Sequence, residues 1–260
     1  MLHRMLGVSV LAALIGTPAI AQVMEDSTVG TMVSGTGPYT VTGGTTQLTT
    51  LFHSFAEFSP NTNAVTFALD GSQSTIDVVI GRVTGSNSSL IDGQLTLTGG
   101  NTPDLFLLNP NGITFGQNAS LLLPGSFLAT TAKSVEFNNN QSFSTNNPGS
   151  APMLTISTPM GLQFGASAAP LQINNANLAV NAVQNLSFVG GDVTVAGGSL
   201  SAPGGRLQIA GIDSNNRLDL DADGAFDTDG LAIRGAGGFR DLVIDQGANL
   251  SVNDQGFVTL

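Results

Sequence analysis

The chain has 260 residues and no cysteine, which excludes disulfides, thiol catalysis and cysteine metal sites. Eighteen acidic residues face 7 lysines and arginines, and the net charge of −11 argues against nucleic acid or an anionic bilayer as partner. The 33 glycines, the 6% aromatic content and the lack of tryptophan argue against a helical globule and suit an all-β fold with many turns.

Residues 1–21 read as a secretory signal peptide. His3 and Arg4 form a weakly basic start, and Met5 to Ile15 is apolar but too short to span a bilayer. Pro18 breaks the run, and Ala19-Ile20-Ala21 offers small residues for cleavage before Gln22. Loss of Arg4 leaves 6 cationic residues against 18 acidic ones, a net of −12.

Gln22 to Gly44 is polar and glycine-rich, with Val29, Met32, Val33, Tyr39 and Val41 as anchors. It is expected to form short strands that cap one end of a core, because a bare end exposes strand edges. Phe52, Phe55 and Phe58 lie three apart, a spacing that admits a helix. His53, the one histidine outside the leader, is expected to make a structural hydrogen bond near the core. Val65 to Leu69, Ile76 to Ile80 and Leu95 to Thr98 read as strands.

Leu105-Phe-Leu-Leu-Asn-Pro-Asn-Gly-Ile-Thr-Phe-Gly116 reads as strand, tight turn, strand. Pro110 sets φ at the second turn position, and Gly112 suits the fourth. Asn109 is expected to bond its own backbone, so Asn109→Ala is expected to cost about 1 kcal/mol. The asparagines from Asn138 to Asn147 mark an excursion from regular structure.

Leu186-Ser-Phe188, Val193-Thr-Val195, Leu200-Ser-Ala202 and Leu207-Gln-Ile209 are apolar-polar-apolar triplets with starts seven residues apart. The glycines and proline between them break any helix. Short strands at this spacing indicate a β-solenoid with three faces, inward Leu, Val and Phe, and solvated Ser, Thr and Gln. The pattern resumes at Leu218, Leu231, Leu242 and Leu250 and is still running at Phe257-Val-Thr-Leu260, as expected of the N-terminal part of a longer protein.

Asp219, Asp221 and Asp223 followed by Gly224, with Asp227 at the ninth position, match the first half of a calcium loop. Gly230 stands where such a loop places glutamate, and three aspartates on one strand face are the competing reading. Calcium is the single cofactor expectation. A solenoid polysaccharide enzyme would need two carboxylates across a groove. Asp77, Asp92, Asp192 and Asp241 are available, and no spacing selects a pair among them.

Six stretches in order resemble the filamentous haemagglutinin N-terminal domain family, the secretion domain of two-partner secretion (TPS) proteins. They are Leu51-Phe-His-Ser-Phe-Ala-Glu-Phe-Ser59, Ile80-Gly-Arg-Val-Thr-Gly85, Ile91-Asp-Gly93, Asn109-Pro-Asn-Gly-Ile113, Gly125-Ser-Phe-Leu-Ala-Thr-Thr-Ala132 and Pro159-Met-Gly-Leu-Gln-Phe-Gly165. The resemblance implies one domain over residues 22–260, a right-handed parallel β-helix with an N-terminal cap and extra-helical excursions. It implies a non-enzymatic adhesin-like exoprotein that crosses the periplasm and leaves through an outer-membrane β-barrel transporter with periplasmic recognition domains. The product would be secreted or held at the cell surface, with a host or cell-surface glycan as target. Asn109, Pro110, Asn111, Gly112 and Ile113 would form the secretion motif. A carbohydrate-binding solenoid, or a polysaccharide-active one, is the alternative.

Overall fold

The computed structural model describes residues 22–260 apart from 147, 150, 153–157, 221–232, 235–237, 246 and 254–255. The expected signal peptide, Asp221, Asp223 and Asp227 therefore lie outside the described residues.

The triplets form a coil because each buries its outer two residues and turns before the next. Leu186–Gly190, Val193–Ala196 and Ser199–Ser201 occupy three successive faces. The chain then returns to the first, where Leu207 lies beside Leu186. Ser187 and Gln208, 21 residues apart, are neighbours across that step. Three parallel ladders result, and the fold is a right-handed parallel β-helix.

The first face runs through Thr50–Ser59, Val78–Val83, Asp104–Leu108, Phe127–Thr130, Leu186–Gly190, Arg206–Gly211 and Phe257–Thr259. The second holds Ser89–Ile91, Ile113–Phe115, Leu171–Asn174, Val193–Ala196 and Leu242–Asp245. The third begins with Tyr39–Gly43, Val65–Ala68, Gln94–Thr98 and Ser120–Leu122. It continues as Asn177–Ala179, Ser199–Ser201 and Asn249–Ser251. The N-terminal segment is the expected cap: Gln22–Glu25 pairs antiparallel with Thr50–Ser59, and Thr31–Ser34 with Tyr39–Gly43.

Inward residues stack from rung to rung. Phe55, Phe58 and Phe67 pack together, with ring centroids 5.0 Å apart for Phe55 and Phe58. Higher up, Phe115, Phe127 and Phe188 form a second trio at 5.7–6.2 Å. Each fully buried phenylalanine stabilises the coil by about 1.5–3 kcal/mol.

The phenylalanine spacing that admits a helix belongs to a strand. Glu57 lies opposite Met24 and Phe55 opposite Glu25, so Ala56 is an extra residue, a β-bulge. The bulge puts Phe55 and Phe58 on the inner face despite their odd separation. Phe52 lies on the outer side of the strand, against Phe137 and Phe143.

A second layer covers the outer side of the first face. After Thr130 the chain leaves the coil and forms the antiparallel strands Ser134–Glu136, Ser142–Ser144 and Gly161–Gln163. Arg217–Asp219 and Ile233–Arg234 join the same sheet. The excursion is thus wider than the asparagine-rich stretch, and the triplet at Leu218 is not a rung, while Leu231 lies outside the described residues. Phe137, Phe143, Leu162, Phe164 and Leu218 pack on Phe52, Ile80, Phe106, Leu108 and Leu128 in a second core. Outward polar residues of this face are therefore not solvated: Gln208 is 0% and Ser187 2% exposed.

His53 is inside the coil, 1% exposed, between Phe55 and Phe67. The Thr31 hydroxyl accepts the Ser54 N–H at 2.9 Å and is also hydrogen-bonded to His53 Nδ1 at 3.3 Å. Burial pushes the imidazole down from 6.5 to about 3. Between those values the unfolded chain binds the proton and the folded chain does not. Stability is therefore full above about 6.5 and falls as pH drops toward 3. Urea midpoints should show a loss of about 2 kcal/mol from pH 7 to pH 5. His53→Gln should abolish most of it, and an unchanged slope in that variant would assign the effect elsewhere.

Candidate functional site: an asparagine corner

Asn109 to Gly112 is the corner between the first-face strand Asp104–Leu108 and the second-face strand Ile113–Phe115. Both strands are fixed by parallel neighbours: Leu108 lies beside Arg82, and Ile113 beside Ser89 and Leu171. The Gly112 N–H donates to Asn109 O at 3.1 Å and closes the turn around Pro110. Gly112 has φ +114°, which glycine alone adopts readily, and an added Cβ would lie 3.2 Å from Pro170 O.

The asparagine bonds are mostly not local. Asn109 is 0% exposed. Its Nδ2 donates to Asn87 O and to Ser89 Oγ, both at 2.9 Å, one turn of the coil back. Its Oδ1 accepts the Asn111 N–H and the Asn111 Nδ2, both at 3.0 Å. Asn111 Nδ2 also donates to Gly85 O at 2.8 Å. The corner is thus bolted to the corner beneath it. Asn109→Ala removes a buried group with four partners and leaves several of them unpaired. The expected loss rises from about 1 to about 2–3 kcal/mol.

The other family stretches lie at corners of the coil, on its first face or in the layer that covers that face. In Ile91-Asp-Gly93, both Asp92 carboxylate oxygens accept from Asn118, at 2.8 Å from its N–H and 3.0 Å from its Nδ2. Beside Gly125, the Ser126 N–H donates to Asp104 Oδ1 at 2.6 Å. Pro159 to Gly165 contains the covering strand Gly161–Gln163.

Arg82, in Ile80-Gly-Arg-Val-Thr-Gly85, was not singled out by its sequence context. It is 2% exposed. Its Nε donates to Ser54 Oγ at 2.8 Å, and its terminal nitrogens to Thr28 Oγ1, Ser144 O and Gly149 O at 3.0, 2.6 and 2.8 Å. The guanidinium lies 3.9 Å from the centroid of the Phe143 ring. Among the described residues no carboxylate touches it. Ser54 and Thr28 pass the interaction on, donating to Asp26 at 2.6 and 2.7 Å, and Thr84 donates to the same carboxylate at 2.8 Å. Burial pulls Arg82 down to about 10 against the pull of Asp26. Burial alone would raise the Asp26 carboxyl, and the hydrogen bonds of Ser54, Thr28 and Thr84 hold it below its ordinary value. One side chain thereby joins the cap, two first-face strands and the covering layer.

Asp219, the one described member of the calcium set, pairs with Arg217 at 2.9 Å in the outer sheet. Among the described residues no three His, Asp or Glu side chains are grouped as metal ligands. Asp77 accepts from Asn101 at 2.9 Å, and Asp192 holds Arg240 through both oxygens at 2.8 and 2.9 Å. Asp92 is likewise engaged at its corner, by Asn118.

The fold is thus a capped parallel β-helix with polar corners and an outer antiparallel layer. The family model of the TPS secretion domain matches residues 21–259, and the chain belongs to that family. Among solved structures, the HMW1 secretion domain from Haemophilus influenzae superposes with a TM-score of 0.50 at 18% identity, over 77% of this chain and 45% of that one. This chain thus spans less than half the length of that relative. The filamentous hemagglutinin secretion domain gives a TM-score of 0.43 at 13% identity, over 92% of this chain and 99% of that one. No curated protein sequence matches the chain.

Proposed function

We propose that this chain is the non-enzymatic secretion domain of an adhesin-like exoprotein, exported by a partner outer-membrane β-barrel transporter with periplasmic recognition domains. The signal peptide is cleaved near Ala21, the chain crosses the periplasm, and the β-helix forms at the cell surface. Each added rung brings buried area and ladder hydrogen bonds, which favour the outward, folded state. A chain without disulfides is free to thread a pore. Among the described residues no helix is long and apolar enough to cross a membrane.

The observation that carries the role of Asn109, Pro110, Asn111, Gly112 and Ile113 is the burial of the Asn109 side chain. A partner meeting the folded domain has no access to it. The motif therefore serves export by closing the third turn of the coil onto the second. Export and urea melting of Asn109→Ala and Asn111→Ala chains test this, with the exposed Thr98→Ala as control. Gln208 is unsuitable as a surface control because it is buried. Export is expected to fall in step with stability for both asparagine variants. A large export loss in a variant that melts near wild type would instead show that the motif is read in the unfolded chain.

A further inference from the structure

We propose that Asn111-Gly112 is a site of spontaneous deamidation that is open in the unfolded chain and shut in the folded one. This would make the folding competence of an exported chain time-limited. Only the consequence for export rests on the function proposed above; the chemistry does not.

Asn111-Gly112 is the single Asn-Gly dipeptide in the chain. Glycine leaves the following backbone nitrogen unhindered, so this dipeptide closes a succinimide ring most readily. In the unfolded chain the Gly112 nitrogen gives its proton to solvent and attacks Cγ of Asn111. The bond from Cγ to Nδ2 breaks, and that nitrogen takes up a proton and leaves as ammonia. Water then opens the ring at either carbonyl. One product has aspartate at 111; the other, isoaspartate, carries the main chain through the side chain.

The fold demands this labile pair and then protects it. Gly112 is fixed by its φ of +114°. The Asn111 amide is fixed by its bonds to Gly85 O and Asn109 Oδ1. In the closed corner the would-be nucleophile, the Gly112 N–H, is held by Asn109 O at 3.1 Å. Attack therefore requires the corner to open.

Either product is a poor fit. Aspartate replaces a donor by a charged acceptor facing two acceptors, Gly85 O and Asn109 Oδ1. Isoaspartate adds a backbone carbon to a turn whose ends are locked, with Leu108 beside Arg82 and Ile113 beside Ser89. A chain that lingers unfolded would lose the ability to close this corner.

The test holds the full chain unfolded in urea at mildly alkaline pH and, in parallel, folded without urea. A short Asn-Gly peptide in both buffers reports any effect of urea itself. Mass-spectrometric peptide mapping follows conversion at residue 111. Conversion should be at least about tenfold slower in the folded chain, because it needs local opening. In urea it should outpace Asn87-Ser88 and Asn118-Ala119. The aged chain is then refolded, and compact and aggregated fractions are separated and mapped. The compact fraction should retain Asn111, and the aggregated one should be enriched in aspartate and isoaspartate. A fresh Asn111→Asp chain should refold in lower yield. Equal conversion in folded and unfolded chains would overturn the proposal, as would equal modification in the two fractions. No transporter enters the experiment, so its failure is separate from failure of the export reading.

Discussion

Arg82→Ala is expected to destabilise the folded chain by about 3–5 kcal/mol, the range for breaking a buried charged network from one side. The substitution strips the donors from Ser144 O and Gly149 O and removes the cation from the Phe143 ring. It also leaves Asp26 with its hydroxyl partners and no buried positive charge behind them. The measurement is the urea midpoint at neutral pH. Arg82→Lys keeps the charge but not the planar fork, and should restore less than half of the loss. Asp26→Asn combined with Arg82→Ala should be less than additive, because the two groups share Ser54 and Thr28. A loss below about 1 kcal/mol for Arg82→Ala would mean that the guanidinium sits in water, contrary to its burial.

Gly85→Ala should cost about 3 kcal/mol, the upper end for overpacking. An added Cβ would lie 2.0 Å from Ala56 O, a main-chain atom at the bulge that cannot swing aside. The strain reaches the asparagine corner, because Gly85 O is the acceptor for Asn111 Nδ2. Gly85→Ala and Asn111→Ala should therefore couple in a double-mutant cycle. Gly71, with nothing within 4 Å of its Cβ position, is the control, and Gly71→Ala should leave the melting midpoint unchanged or slightly raised. Equal behaviour of the two alanine variants would remove the close approach at Gly85 as a determinant of stability.

The coil was legible because its inner rows alternate strictly. Leu186, Phe188, Leu207 and Ile209 all point inward, and the spacing between turns sits in the sequence itself. Its outer layer was not. An apolar-polar-apolar triplet marks a strand with one buried side and says nothing about its partner. Leu218 therefore looked like Leu186, although it belongs to an antiparallel sheet outside the coil. Gln208 and Ser187 looked solvated because nothing within their own triplets signals the sheet that packs outside this face. The bulge at Ala56 made a strand resemble a helix by shifting two phenylalanines onto one side. At the corner, the turn around Pro110 was legible from residue types alone. The partners of Asn109 were not, because Asn87 and Ser89 are 22 and 20 residues back and no local pattern carries that distance.

The outer layer also has a meaning in time. A chain that becomes free to fold from its amino end completes the strands bearing Phe52, Ile80 and Phe106 by residue 108. Their cover, Phe137, Phe143 and Phe164, is still to come. During that interval the young coil carries an oily stripe along one flank, and Arg82 lacks the two carbonyls that will later hold it. Such a rod adheres to whatever is near it, including other rods at the same stage. The stripe is fully covered once the chain has advanced past Leu218. Stickiness is thus a transient of growth, and its duration is written in the number of residues between a strand and its lid.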